Sequence, residues 1–290
     1  MSGSLKRMKK GALKATVLGI VCNSFLFAIK LFAGIISGSI ALLSDAFNSL
    51  TDMVTSIAIF ICVRISDKEA DEGHPFGHKR AEPIAGLLVA ILAGILGFEI
   101  IKASIERLIT GKTISVGPIP LLVPVVTMVL KWLMARYFKR VGEELKSPAI
   151  KASAVDSTND VYFSAAALVG IAGAGIGYHF LDPLAGLLIS AWIIYSGYKI
   201  GIENIDYLMG RSPEPELMLT IKNAALSVAG VKTLNKVRAH YVGNFIHVEV
   251  HIEVDKTLST FDSHAIGKGV EKSIERLEAI EKSFIHIDPV

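Results

Sequence analysis

The chain has 290 residues, of which 51% are hydrophobic and only 20% charged, a balance that a soluble globular domain of this size rarely shows. The net charge of +3 is too small to point to nucleic acid, and the apolar residues are gathered into long runs. Cys22 and Cys62 both lie in such runs, with neither CxxC spacing nor histidine neighbours, and read as small buried hydrophobes.

Residues 1–11 form a basic head carrying Lys6, Arg7, Lys9 and Lys10. A helix needs about 20 predominantly apolar residues to cross a bilayer, and six runs qualify: 12–36, 39–64, 82–108, 116–138, 149–178 and 182–208. The first is too long for a signal-peptide core and lacks a convincing cleavage site, so it reads as a retained span. Lys30, Glu99 and Lys131 interrupt the runs. The two lysines are expected to snorkel towards the headgroups, and Glu99 to face a neighbouring helix. Orientation follows from basic residues in short loops. Arg64, Lys68, Lys79 and Arg80 follow the second run, and Lys139, Arg140 and Lys146 follow the fourth. The opposite side has Ser37-Gly38-Ser39 and Tyr178-His179, with Arg107 and Lys112 as its exceptions. The expectation is a multi-pass membrane domain over 12–209 with both termini in the cytoplasm, in a plasma (inner) membrane.

Two runs carry polar pairs at i, i+4, Asn48 with Asp52 and Asp156 with Asp160. Each pair presents both oxygen-bearing groups on one helix face. Asp45 extends the first face at i, i+3, i+7. An ionised carboxylate at membrane depth costs a few kcal/mol or more, so such residues face a cavity, an ion path or a partner. Two such faces supply four oxygen ligands, which suit Mn²⁺ or Mg²⁺, whereas imidazole and thiolate favour zinc and copper. Carboxylates also exchange metal for protons.

Between the second and third runs, Asp71, His74 and His78 are spaced as plausible metal ligands among Gly73, Pro75 and Gly77. After Met209 the composition becomes that of a soluble domain, 210–290, punctuated by Gly210, Pro213 and Pro215. Periodicity predicts a helix over 214–228, strands over 232–241 and 245–254, a helix over 263–277 and a short strand over 283–288. This is a small α+β unit with two helices on one face of a three-stranded sheet. Ile246, Val248, Val250, Ile252 and Val254 share one face of the second strand; His247, Glu249 and His251 share the other. His264 begins the next helix, and His286 and Asp288 share a face of the last strand.

At these residues the chain resembles the cation diffusion facilitator family, over nearly its whole length. The carriers are the two intramembrane pairs, the Gly73-His74-Pro75-Phe76-Gly77-His78-Lys79-Arg80-Ala81-Glu82 loop, and the ending His286-Ile287-Asp288-Pro289. The resemblance implies six transmembrane helices plus a cytoplasmic ferredoxin-like, metallochaperone-like domain that dimerises and senses metal. It implies a homodimeric, alternating-access exporter in the lipid bilayer, driven by proton antiport, with divalent metal as substrate and regulator and no prosthetic group. The transport site carries over onto Asn48, Asp52, Asp156 and Asp160. Zinc-transporting members commonly have histidine where this chain has Asp156, so the set resembles the manganese branch. Asp45 is the candidate proton-relay or gate residue. The loop site maps onto Asp71, His74 and His78. The cytoplasmic sites map onto His251, His264, His286 and Asp288, with His247 and Glu249 matching ligands of other members, while Asn235 stands where some place a histidine. Arg80 corresponds to one half of a dimer interlock; Gly210 stands at the other half, with Asp206 as its substitute.

The leading reading is therefore export of Mn²⁺, or Fe²⁺, in exchange for H⁺. The rivals are a zinc or iron exporter of the same family, a membrane metal-sensing scaffold without turnover, and an intramembrane metal-dependent enzyme. A scaffold has no need of buried acids, and no HExxH or base–nucleophile arrangement supports an enzyme.

Overall fold

A computed structural model of the chain describes residues 2–66, 68, 70–144, 148–243, 245–278 and 280–290. The side chains of Lys6, Arg7, Lys9, Lys10, Cys62, Arg64 and Lys146, used above, lie outside the described residues. The chain forms two compact units, 1–60 with 88–201 and 61–87 with 202–290.

Six long helices build the first unit, apart from residues 61–66, 81–87 and 202–208, which fall in the second: α1 (Ser2–Ser37), α2 (Ile40–Ser66), α3 (Ala81–Thr110), α4 (Pro118–Glu144), α5 (Pro148–Gly175) and α6 (Leu181–Leu208). Among the described residues, four segments are long and apolar enough to cross a membrane: Val17–Ser37 of α1, and α3, α4 and α6. Large apolar side chains such as Phe25, Phe98, Leu133 and Leu188 are exposed, as expected of faces turned to lipid. The interior is built from Ala33, Leu42, Ala93, Ile171, Ile189 and Ile193. Small residues let the helices approach closely: a Cβ at Gly97 would lie 2.5 Å from Ile194.

The start of α2 is fixed from a distance. Gly38 takes the left-handed φ of 67° that turns the chain out of α1. Asp182, fully buried in the first turn of α6, then accepts from the Ser39 hydroxyl and from the Ile40 N–H at 2.9 Å. This satisfies donors that a helix N-terminus leaves unpaired and places a negative charge at its positive end. Nothing local in the sequence marks Asp182 for this role.

The interrupting charges depart from expectation. Lys30 and Lys131 do not snorkel; they are 0% and 1% exposed, each held by a carboxylate inside the helical unit. A buried ammonium is tolerated where an anion and further acceptors meet it. Glu99 faces outward, its side chain 63% exposed and 4.0 Å from Lys102 on the same helix.

In the second unit α7 (Pro215–Leu226), β1 (Thr233–Val242), β2 (Phe245–Val254), α8 (Thr260–Ile274) and β3 (Ile280–Pro289) follow the expected order. The sheet order is β1-β2-β3, antiparallel across the hairpin and parallel where α8 crosses over. Ile246, Val248, Val250, Ile252 and Val254 are all buried, against Ile221 and Ala225 of α7 and Val270 and Ile274 of α8. The last helix starts earlier than its periodicity suggested because Ser259 caps it, accepting from the Asp262 N–H at 3.1 Å. The last strand is also longer than expected, since pairing with β2 runs from Ile280 to Pro289.

Candidate functional site

The two polar pairs meet. Asn48 and Asp52 of α2, Asp156 and Asp160 of α5, and Asn23 of α1 line one cavity of about 350 Å³. Asp160 is nearly fully buried, and its Oδ1 accepts from the Asn48 amide at 2.6 Å. This leaves the Asn48 carbonyl as a neutral oxygen donor. Asp52 is partly buried and Asp156 is exposed. Lys131 of α4 enters the same cavity; its ammonium donates to Asp160 Oδ2 and to Asn23 Oδ1 at 2.8 Å, and lies 3.9 Å from Asp52. Asp45 faces elsewhere. It accepts from Lys30 at 2.8 Å and from the Ser164 hydroxyl at 2.7 Å, tying α1, α2 and α5 together, and it is not among the residues that line the cavity.

Among the described residues, the second unit holds two groups, Asp71-His74-His78 and His251-His286-Asp288, in each of which the ligand atoms lie within 4.8 Å of one another. In the loop, Asp71 faces His74 Nδ1 and His78 Nε2, each at 3.3 Å, and the two rings stand 4.4 Å apart. The His74 backbone N–H donates to Asp71 at 2.7 Å, and this bond above all holds the Asp71 carboxyl below its ordinary range. In the sheet, His251 and His286 are partners across β2 and β3, with Asp288 3.1 Å from His286 and 3.8 Å from His251. Asn235 donates to Asp288 at 3.2 Å. Glu249 sits 2.9 Å from His251, whose hydrogen bond lowers the Glu249 carboxyl.

His264 and His247 stand outside the sheet triad. His264 is exposed on α8. His247 is buried, near His240, Phe284 and Phe76, with Glu281 at 3.3 Å. Burial first, then the charges of His240, Lys79, Arg80 and Lys282, push its imidazole below the usual value despite Glu281. Lys79 joins the loop to the sheet: it pairs with Glu281 and lies 3.7 Å from the Phe245 ring centroid. Among the described residues no ion pair joins Arg80 to Asp206.

Lys131, Asp182 and Lys79 escaped the sequence reading as site or positioning residues. Lys131 left a signal as a charge in the middle of an apolar run, and Lys79 as part of the loop motif.

A family model described as the cation efflux transmembrane domain matches residues 16–209, and one described as the cation efflux protein cytoplasmic domain matches residues 213–290. An uncharacterized transporter of Methanocaldococcus jannaschii is 37% identical over 96% of this chain and 98% of its own length. The manganese efflux system protein MneS of Bacillus subtilis is 30% identical over 99% and 97%. The cation-efflux pump FieF of Citrobacter koseri is 28% identical over 95% and 92%. The chain belongs to the cation diffusion facilitator family of metal transporters.

Proposed function

We propose that the protein exports divalent cations, Mn²⁺ first, with Fe²⁺ or Zn²⁺ as alternatives, in exchange for protons. The observation that carries this reading is the meeting of Asn48, Asp52, Asp156 and Asp160 around one cavity. Four hard oxygens without imidazole suit Mn²⁺ and put a softer, nitrogen-preferring ion at a disadvantage. The manganese efflux of the MneS relative points the same way. Carboxylates of this site take protons when the metal leaves, which couples the two fluxes.

In this reading the six helices all span the membrane, residues 1–11 and 210–290 lie in the cytoplasm, and the carrier works by alternating access as a homodimer in a plasma (inner) membrane. The loop triad of Asp71, His74 and His78 and the sheet triad of His251, His286 and Asp288 bind metal as regulator. His247, Glu249 and His264 are secondary ligands there. Arg80 and Asp206 act across the dimer, and Asp45, held by Lys30, serves as gate.

Proteoliposomes with an imposed pH gradient test the proposal. Mn²⁺ uptake driven by the gradient is expected, and Asp52→Ala together with Asp160→Ala is expected to abolish it. Transport that survives the double substitution refutes the site. Asp156→His is expected to raise zinc over manganese in competition; an unchanged ratio would show that this ligand does not govern selection.

A further inference from the structure

The geometry points to Lys131 as a tethered cation of the transport site, which an incoming divalent ion displaces and which thereby sets the affinity of that site. The inference rests on the transport-site reading above. Its ammonium lies between two carboxylates of different helices, bonded to Asp160 and 3.9 Å from Asp52. That is where an ion bridging α2 and α5 would have to stand. The side chain is 2% exposed and sits in the cavity wall, so it is neither a surface charge nor a snorkelling one.

The same helical unit contains a second buried lysine for comparison. Lys30 meets one carboxylate, Asp45, at 2.8 Å, and the Ser49 hydroxyl at 3.0 Å. The other Asp45 oxygen is taken by Ser164. Neither Lys30 nor Asp45 lines the cavity. That pair is closed, one charge for one charge. Lys131 belongs to an open set, one ammonium among the three carboxylates Asp52, Asp156 and Asp160 around free space. Its positive charge is carried by a flexible stem with rotatable donors, so it can withdraw while remaining charged.

Two consequences follow. A monovalent ion offers no more charge than the ammonium already in place, which is held at a high effective concentration by its tether; a divalent ion does. The site thus selects against monovalent cations without a size filter. Return of the ammonium to Asp160 also opposes rebinding of the metal, so Lys131 trades affinity for release.

The test uses the full-length protein in detergent at mildly alkaline pH, with His74→Ala and His286→Ala present so that the two triads contribute less. Mn²⁺ is titrated calorimetrically into Lys131, Lys131→Met and Lys131→Arg forms, and initial rates are measured in liposomes. Removing an adjacent like charge in Lys131→Met is expected to tighten Mn²⁺ binding about tenfold or more and to lower both KM and turnover. Lys131→Arg, which keeps the charge, stays near the starting affinity. In Lys131→Ala, methylammonium chloride weakens Mn²⁺ binding competitively, an effect absent with Lys131 in place. If Lys131→Met fails to fold, the Lys131→Ala protein with methylammonium present decides.

A folded Lys131→Met protein with unchanged or weaker Mn²⁺ affinity overturns the tethered-cation role. Adding Asp52→Ala separates the two failures. If it abolishes Mn²⁺ binding while Lys131→Met leaves it unchanged, the site stands and the role of Lys131 falls. If Asp52→Ala leaves Mn²⁺ binding and transport intact, both fall.

Discussion

The cavity of the helical unit and the sheet triad both gather side chains of metal-ligating types, and they differ in donor set, in charge and in the depth of Asp160 and Lys131 against His286. His251, His286 and Asp288 already lie within 4.8 Å of one another, at a partly solvated sheet face with His286 61% exposed. Their donors include two imidazoles, which suit zinc, copper and iron. Asn48, Asp52, Asp156 and Asp160 offer only oxygens, and Asp160 and Lys131 are each 2% exposed there. A preformed, exposed group responds to the metal concentration around it. A group that already contains a buried positive charge would hold a cation less tightly. The first suits regulation and the second suits transport.

The largest expected effect tests the burial half of this comparison. Asp160→Ala leaves the Lys131 ammonium in the cavity wall with Asn23 at 2.8 Å and Asp52 at 3.9 Å. Breaking a buried pair in this way costs about 3–5 kcal/mol, read as a lower unfolding midpoint in detergent. Lys131→Met added to Asp160→Ala is expected to recover much of that loss, since the orphaned charge goes with it. His286→Ala, at an exposed site, is expected to move the midpoint by no more than about 0.5 kcal/mol. Equal losses at Asp160 and His286 would erase the distinction.

A smaller effect tests the ligand half. His286→Ala removes one nitrogen of a three-donor group and is expected to weaken zinc binding about tenfold or more, while the Mn²⁺ that binds among the cavity oxygens is retained. Equilibrium dialysis with both metals reads this directly. Loss of both together would mean that the two regions do not bind independently.

The two polar pairs were legible because i, i+4 spacing fixes a shared helix face whatever the tertiary context. The apolar face of β2 was legible for the same reason, with a period of two. What periodicity cannot supply is depth and distant partnership. His247 and His251 share a strand face, yet His247 is buried beneath Phe76 and Phe284 while His251 joins the solvated triad. Asp182 caps α2 from 143 residues beyond Ser39, which local spacing does not reveal. Lys131 was visible as an interrupting charge, but its destination depends on α4 packing against α5, and a snorkelling lysine has the same local sequence.

His247 gives the smallest expected effect and the last test of the contrast between buried and solvated groups. Burial favours its neutral imidazole, so its folded value lies below the ordinary 6.5. The unfolded chain then binds more protons in the interval between the two values. The stability that His247 contributes is complete above about 6.5 and is lost as pH falls through that interval. Hydrogen exchange along β2, corrected for intrinsic rates, should show protection near Ile246 and Val248 falling as the buffer is acidified below about 6.5. His247→Gln, which keeps a polar side chain but does not titrate there, should flatten that dependence. The same substitution at the exposed His286, which lies beside His251 further along β2, should leave the protection near Ile246 and Val248 as it was. If His286→Gln flattened the profile and His247→Gln did not, the acid-sensitive group would be the exposed one, and depth along β2 would not be what separates the two histidines.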